Sequence, residues 1–214
     1  MLNLYYVRLS DALPAGAGKA RRERETGRRL LCFVLTRILH RKPEEIRLRL
    51  NEHGKPYLQT DTPLFFNISH SGKWVVCAFS DTEVGVDIEK IAKERLAVAK
   101  RFFHPEEVAG LLNTSGQERT DLFFRYWSAK ESVLKYMGTG LSASLNSFSI
   151  RWEGESAGIY KKSGCLPLSL HECRIDDDYK CFVCSEQTAP PGLYPLTEEK
   201  IRTAEFPCYS NLLL

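Results

Sequence analysis

No stretch of this 214-residue chain is apolar for long enough to cross a bilayer, which takes about 20 residues. The opening Met1-Leu2-Asn3-Leu4-Tyr5-Tyr6-Val7-Arg8-Leu9 lacks the basic start and small-residue cleavage site of a signal peptide, and reads as a first strand. These two absences predict a cytoplasmic protein with no membrane partner. Surplus charge is scarce as well. Lys and Arg number 30 against 27 Asp and Glu, a net charge of +3, far short of a nucleic-acid coat, so no nucleic-acid partner is expected. Cysteine supplies no framework: the 7 cysteines are odd in number and scattered, which suits thiols in a reducing compartment. Cys181-Phe182-Val183-Cys184 has CxxC spacing but no companion pair. It lies in a strand-like apolar run, where positions i and i+3 face opposite ways, so buried apolar thiols are expected rather than zinc or redox chemistry. Gly16-Ala17-Gly18-Lys19-Ala20 lacks the earlier Gly and the following hydroxyl of a phosphate loop.

What is present is an ordinary globular composition, 43% hydrophobic and 27% charged, in a chain long enough for one large or two small cores. The first half reads as strand 2–9, a long helix near 19–40, then strands near 46–50, 56–59, 64–69, 74–80 and 84–89. Leu30, Leu31, Val34, Leu35, Ile38 and Leu39 give that helix its apolar stripe. The second half reads as helix 93–102, a helix opening at Pro105-Glu106-Glu107, and a long helix 117–137 closed by Gly138. Strands follow near 146–152, 157–162, 166–174 and 179–185, and the tail after Pro190-Pro191-Gly192 looks irregular. No residue repeat is visible, yet the element order is loosely duplicated. The pattern predicts an α+β fold of two similar α/β subdomains, 1–91 and 92–214, with a site in the cleft between them.

Two motifs carry chemistry. In Val84-Gly85-Val86-Asp87-Ile88-Glu89, strand alternation puts Asp87 and Glu89 on one face, roughly 7 Å apart between Cα atoms. In Trp127-Ser128-Ala129-Lys130-Glu131-Ser132-Val133-Leu134-Lys135, helical spacing stacks Glu131 and Lys135 one turn apart. Three carboxylates beside lysines suit Mg²⁺ and a phosphate ester. The bland alternatives are a solvent-facing pair of acids on a strand and a surface Glu–Lys pair on a helix. Ser69-His70-Ser71-Gly72 is a turn of donors able to face an anion, or a plain hairpin turn. The basic run 19–29 suits phosphate or an acidic partner, or is a solvated helix face with Glu23 and Glu25 as internal partners.

Together, Gly54-Lys55-Pro56, Asn67-Ile68-Ser69-His70-Ser71-Gly72, Gly85-Val86-Asp87-Ile88-Glu89, Lys100-Arg101-Phe102-Phe103, Trp127-Ser128-Ala129-Lys130-Glu131-Ser132 with Lys135, and Gly138-Thr139-Gly140-Leu141-Ser142 resemble the surfactin-type 4′-phosphopantetheinyl transferases, over about residues 19 to 185. The resemblance implies two α/β subdomains in pseudo-twofold relation, a monomer, and coenzyme A bound between the halves. It implies transfer of phosphopantetheine from coenzyme A to a serine of an apo acyl, peptidyl or polyketide carrier protein, releasing adenosine 3′,5′-bisphosphate. Asp87, Glu89 and Glu131 match the family's Mg²⁺ ligands. Arg28, Lys55, Ser69 and His70 match nucleotide and 3′-phosphate contacts, and Lys130 and Lys135 match lysines beside the pyrophosphate. The stretch 138–149 matches a carrier-docking region. The two lysines that the family often carries ahead of the arginine helix have only Lys19 as a counterpart, with Arg21, Arg22 or Arg24 as substitutes. Glu131, directly or through water, is the candidate base, and Lys135 the group that stabilises or protonates the leaving phosphate. Two other readings remain: a Mg²⁺-dependent phosphohydrolase, and a non-catalytic coenzyme-A- or carrier-binding module.

Overall fold

Alternation along two buried strands sets the layering of the molecule. The computed structural model describes residues 1–10, 17–139, 144–154 and 156–205; Gly16, the 140–143 part of the expected docking stretch and Cys208 lie outside them. Strand β1 (Leu2–Arg8) is followed by helix α1 (Ala17–Leu39), the short hairpin β2 (Leu48–Leu50) and β3 (Pro56–Leu58), then β4 (Phe65–Ser71), β5 (Trp74–Ser80) and β6 (Val84–Lys90). Three helices come next: α2 (Leu96–Phe102), α3 (Pro105–Leu112) and α4 (Gly116–Met137). The remaining elements are β7 (Ser149–Glu153), β8 (Ser156–Lys161), β9 (Gly164–Cys165), β10 (Ser169–Glu172), β11 (Tyr179–Ser185), β12 (Gly192–Leu196) and α5 (Glu198–Ile201).

On β5, Val75, Cys77 and Phe79 join a core with Leu30, Leu31, Val34 and Leu35 of α1. Val76 and Ala78 face the other way, into a second core with Leu2 and Leu4 of β1 and Val84, Val86, Ile88, Cys181 and Val183. On β11, Phe182 and Cys184 turn outward into a third core with Phe123, Phe124, Ala129 and Val133 of α4. A strand that buries both faces reads as a near-continuous apolar run, as β5 does over residues 74–79 and β11 over residues 181–184. The result is helix, sheet, sheet, helix. The sheet β12-β1-β5-β4 packs on the sheet β10-β11-β6, with α1 and α4 outside, and each half sets one long helix on a sheet that is antiparallel but for β12. Cys181 and Cys184 fall in different cores, as their spacing predicts.

Three features depart from the sequence reading. Strand β6, assigned to the first half by a boundary at 91, pairs with β11 over seven residues, from Val84↔Ser185 to Lys90↔Tyr179. It therefore belongs to the second half's sheet. Residues 146 and 147, expected to open a strand, belong to a 3₁₀ turn over Leu145–Ser147. The tail as far as Glu205 carries regular structure: β12 runs parallel to β1 along the edge of the first sheet, and α5 follows, capped by Thr197 Oγ1 accepting the Lys200 amide at 3.2 Å. Arg22 of α1 fixes this return strap by donating to both Glu198 oxygens at 2.8 Å.

No described helix is long and apolar enough to cross a membrane.

Candidate active site

Helix α4 approaches β6 closely because Gly85 has no side chain. A Cβ there would meet Ser132 O at 2.0 Å and Tyr136 N at 2.3 Å, both backbone atoms. This contact brings the lower half of α4 over the polar face of β6. Lys135 Nζ lies 2.7 Å from Asp87 Oδ1 and 2.9 Å from Ser69 Oγ. Ser128 Oγ, higher on α4, donates to the Asp87 carbonyl at 3.1 Å and so pins the same strand.

Strand β4 closes the site from the other side. Its inward positions are polar, Asn67, Ser69 and Ser71, and they meet the open edge of β6. Asn67 Oδ1 accepts the Val86 amide at 2.9 Å, Ser69 Oγ the Ile88 amide at 3.3 Å and Ser71 Oγ the Lys90 amide at 3.1 Å. Side chains thus replace a neighbouring strand as partners for buried backbone donors. The same hydroxyls donate to the acids: Ser69 to Asp87 Oδ1 and Ser71 to Glu89 Oε2, each at 3.0 Å. The hairpin that delivers them turns at Gly72, whose φ of +61° suits a two-residue connection, with Tyr179 Oη accepting the Lys73 amide beneath it.

The three carboxylates sit in one electrostatic neighbourhood. Burial, then the charges of Asp87 and Glu89, push the Glu131 carboxyl up to about 7, against the pull of Lys135. Glu89 is raised by burial and by Asp87, opposed by the Ser71 hydrogen bond, Lys135 and Trp127. Asp87 is 4% exposed, and its Oδ2 is buried with no partner. One ammonium therefore serves three acids. Among the described residues no three acidic, His or Cys side chains are drawn into a ready metal cage, so the expected convergence on one ion is met only as shared surroundings. The residues nonetheless fit Mg²⁺ by chemistry: hard oxygen donors, one of them orphaned, two held toward neutrality by burial and by neighbouring negative charge.

The other expected residues divide. His70 points from β4 to the α1 side, its Nδ1 at 3.5 Å from Glu23 Oε2. Burial lowers its pKa, against Glu23 and with Lys135 and Arg24, so it lies among groups of both signs as an anion contact would. Arg28 is half-buried on α1, one turn beyond Arg24. Lys55 Nζ binds Glu83 Oε2 at 2.7 Å and reaches the carbonyls of Val84 at 3.3 Å and Tyr136 at 3.5 Å, so its donors are engaged at the head of β6. Two expectations need correction. Ser69 is 6% exposed, and its one donor and two acceptor positions are filled by Asp87, Ile88 and Lys135; it builds the seam instead of presenting a hydroxyl to a nucleotide. Lys130 is 0% exposed, with Nζ at 2.7 Å from Glu107 Oε1 and 2.8 Å from the Phe148 carbonyl, so its ammonium is engaged inside the α4 core. Arg22, a candidate substitute for the missing lysines, is held by Glu198 and Ser10, while Lys19 lies 3.9 Å from Glu23. Asn67 went unassigned in the sequence reading, and Ser71 was read as one donor of an anion-facing turn, whereas it lies on β4 with its hydroxyl on β6; their i, i+2, i+4 spacing with Ser69 on a strand was the available signal.

Comparisons with known proteins agree with one another. A family model described as 4′-phosphopantetheinyl transferase superfamily matches residues 83–184, and one described as 4′-phosphopantetheinyl transferase, N-terminal, matches residues 19–82. That division puts β6 with the second half, as the sheets do. The 4′-phosphopantetheinyl transferase gsp of Aneurinibacillus migulanus is 38% identical over 180 residues, 84% of this chain and 71% of that protein. The 4′-phosphopantetheinyl transferase Sfp of Bacillus subtilis (strain 168) is 39% identical over 157 residues, 73% of this chain and 70% of that protein. The solved holo-[acyl-carrier-protein] synthase of Thermotoga maritima overlaps in part, with a TM-score of 0.39 and 19% identity over 48% of this chain and 61% of its own. With both halves matched in order and relatives of this identity spanned over more than two thirds of their length, the chain belongs to the 4′-phosphopantetheinyl transferase superfamily.

Proposed function

We propose that the protein transfers 4′-phosphopantetheine from coenzyme A to a serine hydroxyl of an apo carrier protein, releasing adenosine 3′,5′-bisphosphate, with Asp87, Glu89 and Glu131 as the holders of Mg²⁺. The observation that carries this is the cluster of three acids from β6 and α4 around the single ammonium of Lys135, one acid oxygen being buried without a partner. When bound, Mg²⁺ would neutralise charge on the pyrophosphate and fix its orientation.

The chain's own groups supply the rest. The serine oxygen of the carrier attacks the phosphorus that bears pantetheine, and the bond from that phosphorus to the bridging oxygen of the nucleotide phosphate breaks. Glu131 takes the serine proton, directly or through a water. Lys135 stabilises the charge that builds on the departing phosphate, reaching it from a position already fixed by Ser69 and Asp87. His70 and Arg28, on the α1 side of β4, take the nucleotide and its 3′-phosphate. The net charge of +3 favours encounter with an acidic carrier, more so at low salt. The protein acts as a cytoplasmic monomer on this reading.

Incubating the purified protein with coenzyme A, Mg²⁺ and an apo carrier tests it. A carrier mass gain of one phosphopantetheine is expected. Phosphate release with no carrier present would mark a phosphohydrolase, and coenzyme A binding without turnover would mark a binding module; either overturns the proposal.

A further inference from the structure

The seam between β4 and β6 repeats one unit. The Ser69 hydroxyl accepts the amide of Ile88 and donates to the carboxylate of Asp87; the Ser71 hydroxyl accepts the amide of Lys90 and donates to the carboxylate of Glu89. In each case one hydroxyl grips a strand residue by its backbone and the preceding acid by its side chain. The Asn67 rung makes the same backbone contact, to Val86, but the preceding residue there is Gly85, which has no side chain to hold. A carboxylate tethered through one oxygen has a fixed rotamer and keeps its second oxygen for another partner; Asp87 Oδ2, buried and unpartnered, is in that condition. Ser71 reaches Glu89 from β4, while α4, which carries Glu131 and Lys135, packs on β6.

We propose that Ser71 is a positioning residue, with Ser69 as its twin: through the β6 edge it holds Glu89, as Ser69 holds Asp87, with the carboxylate turned toward a divalent cation. This rests on the cation reading given above. The seam therefore does two things at once. It closes an open sheet edge without a backbone partner, and it orients the acids at the place where the two halves meet. Hydrogen-bond partners of metal-ligating groups commonly set affinity by such orientation.

Binding of Mn²⁺ to the full-length protein in the presence of coenzyme A, followed by electron paramagnetic resonance, separates this from a role in folding alone. Ser71→Ala is expected to weaken Mn²⁺ about 10-fold, and Ser71→Thr, which keeps the hydroxyl, to restore it. Asn67→Ala removes a seam bond of the same kind but frees no acid, so its Mn²⁺ affinity should match wild type even where its melting temperature falls. Unchanged affinity in Ser71→Ala overturns the inference, as does equal weakening in Asn67→Ala. Glu89→Gln separates the two levels. If it binds Mn²⁺ as tightly as wild type, the cation reading itself fails; if it loses Mn²⁺ while Ser71→Ala does not, only the positioning role fails.

Discussion

Lys130 and Lys135 are carried by one helix, each beside a buried acid, and they do opposite things. Lys130 meets Glu107 in the interior, where the ammonium and both carboxylate oxygens have partners. One oxygen of Glu107 accepts both Lys130 at 2.7 Å and the Ile150 amide at 2.8 Å, and the other accepts the His104 amide at 2.9 Å. Phe148 adds a carbonyl and a ring face 4.2 Å from the ammonium. That locus ties α3, α4 and β7 together and asks for nothing more. Lys135 instead meets three acids it cannot satisfy, leaves one oxygen orphaned, and stands with Glu131 held near 7. Completeness of pairing, not the presence of a buried Lys–acid pair, distinguishes the strut from the proposed reacting centre.

The comparison breaks most visibly at Asp87. Asp87→Asn keeps the shape of the seam but removes a charge from the centre, and transfer to an apo carrier should fall by at least about 10²-fold, while the circular dichroism spectrum and melting temperature stay near wild type. Loss of fold with loss of activity would make Asp87 a structural acid like Glu107. At the other locus the effect is on stability. Lys130→Ala leaves Glu107 buried and uncompensated, and should cost about 3–5 kcal/mol in urea unfolding. Lys130→Met with Glu107→Gln should recover part of that loss and part of the activity with it. A Lys130→Met/Glu107→Gln protein that folds fully but cannot transfer would place Lys130 back at the phosphates.

Smaller effects sharpen the boundary of the site. His70→Ala should weaken coenzyme A more than dephospho-coenzyme A in equilibrium binding, by about 10-fold in their ratio, the loss of one charge-assisted contact; equal weakening of both would remove His70 from the 3′-phosphate. Arg22→Ala should have the least effect. Its partner Glu198 and the strap it holds are partly solvated, so about 1 kcal/mol or less is expected in thermal unfolding, with coenzyme A binding unchanged. A large loss of coenzyme A affinity would restore Arg22 to the nucleotide.

Much of this was legible in the sequence. Alternation placed Asp87 and Glu89 on one face, helical spacing stacked Glu131 and Lys135, and the apolar run 179–185 matched β11. The pairing of Lys130 was not legible, because nothing near it marks Glu107 as its partner across a separation of 23 residues. Ser69 read as a ligand contact because its hydroxyl was assumed to be available; only the register of β4 against β6 shows it fully used. The tail was hidden by its composition. Pro195 lacks an amide and argues against a strand, but β12 is an edge strand, where that donor is dispensable. Lone four-residue helices such as α5 leave no periodic trace, and Thr197 ahead of Glu198 and Glu199 was its one signal.

The central claim is that the acids of β6 and α4 work by gathering a divalent cation beside Lys135. Stripping the protein and carrier with EDTA, then following carrier mass in the presence of coenzyme A as Mg²⁺ is added back, tests it most directly. The account predicts no phosphopantetheine on the carrier until Mg²⁺ exceeds the chelator, and full modification after. Undiminished transfer under excess EDTA would contradict it.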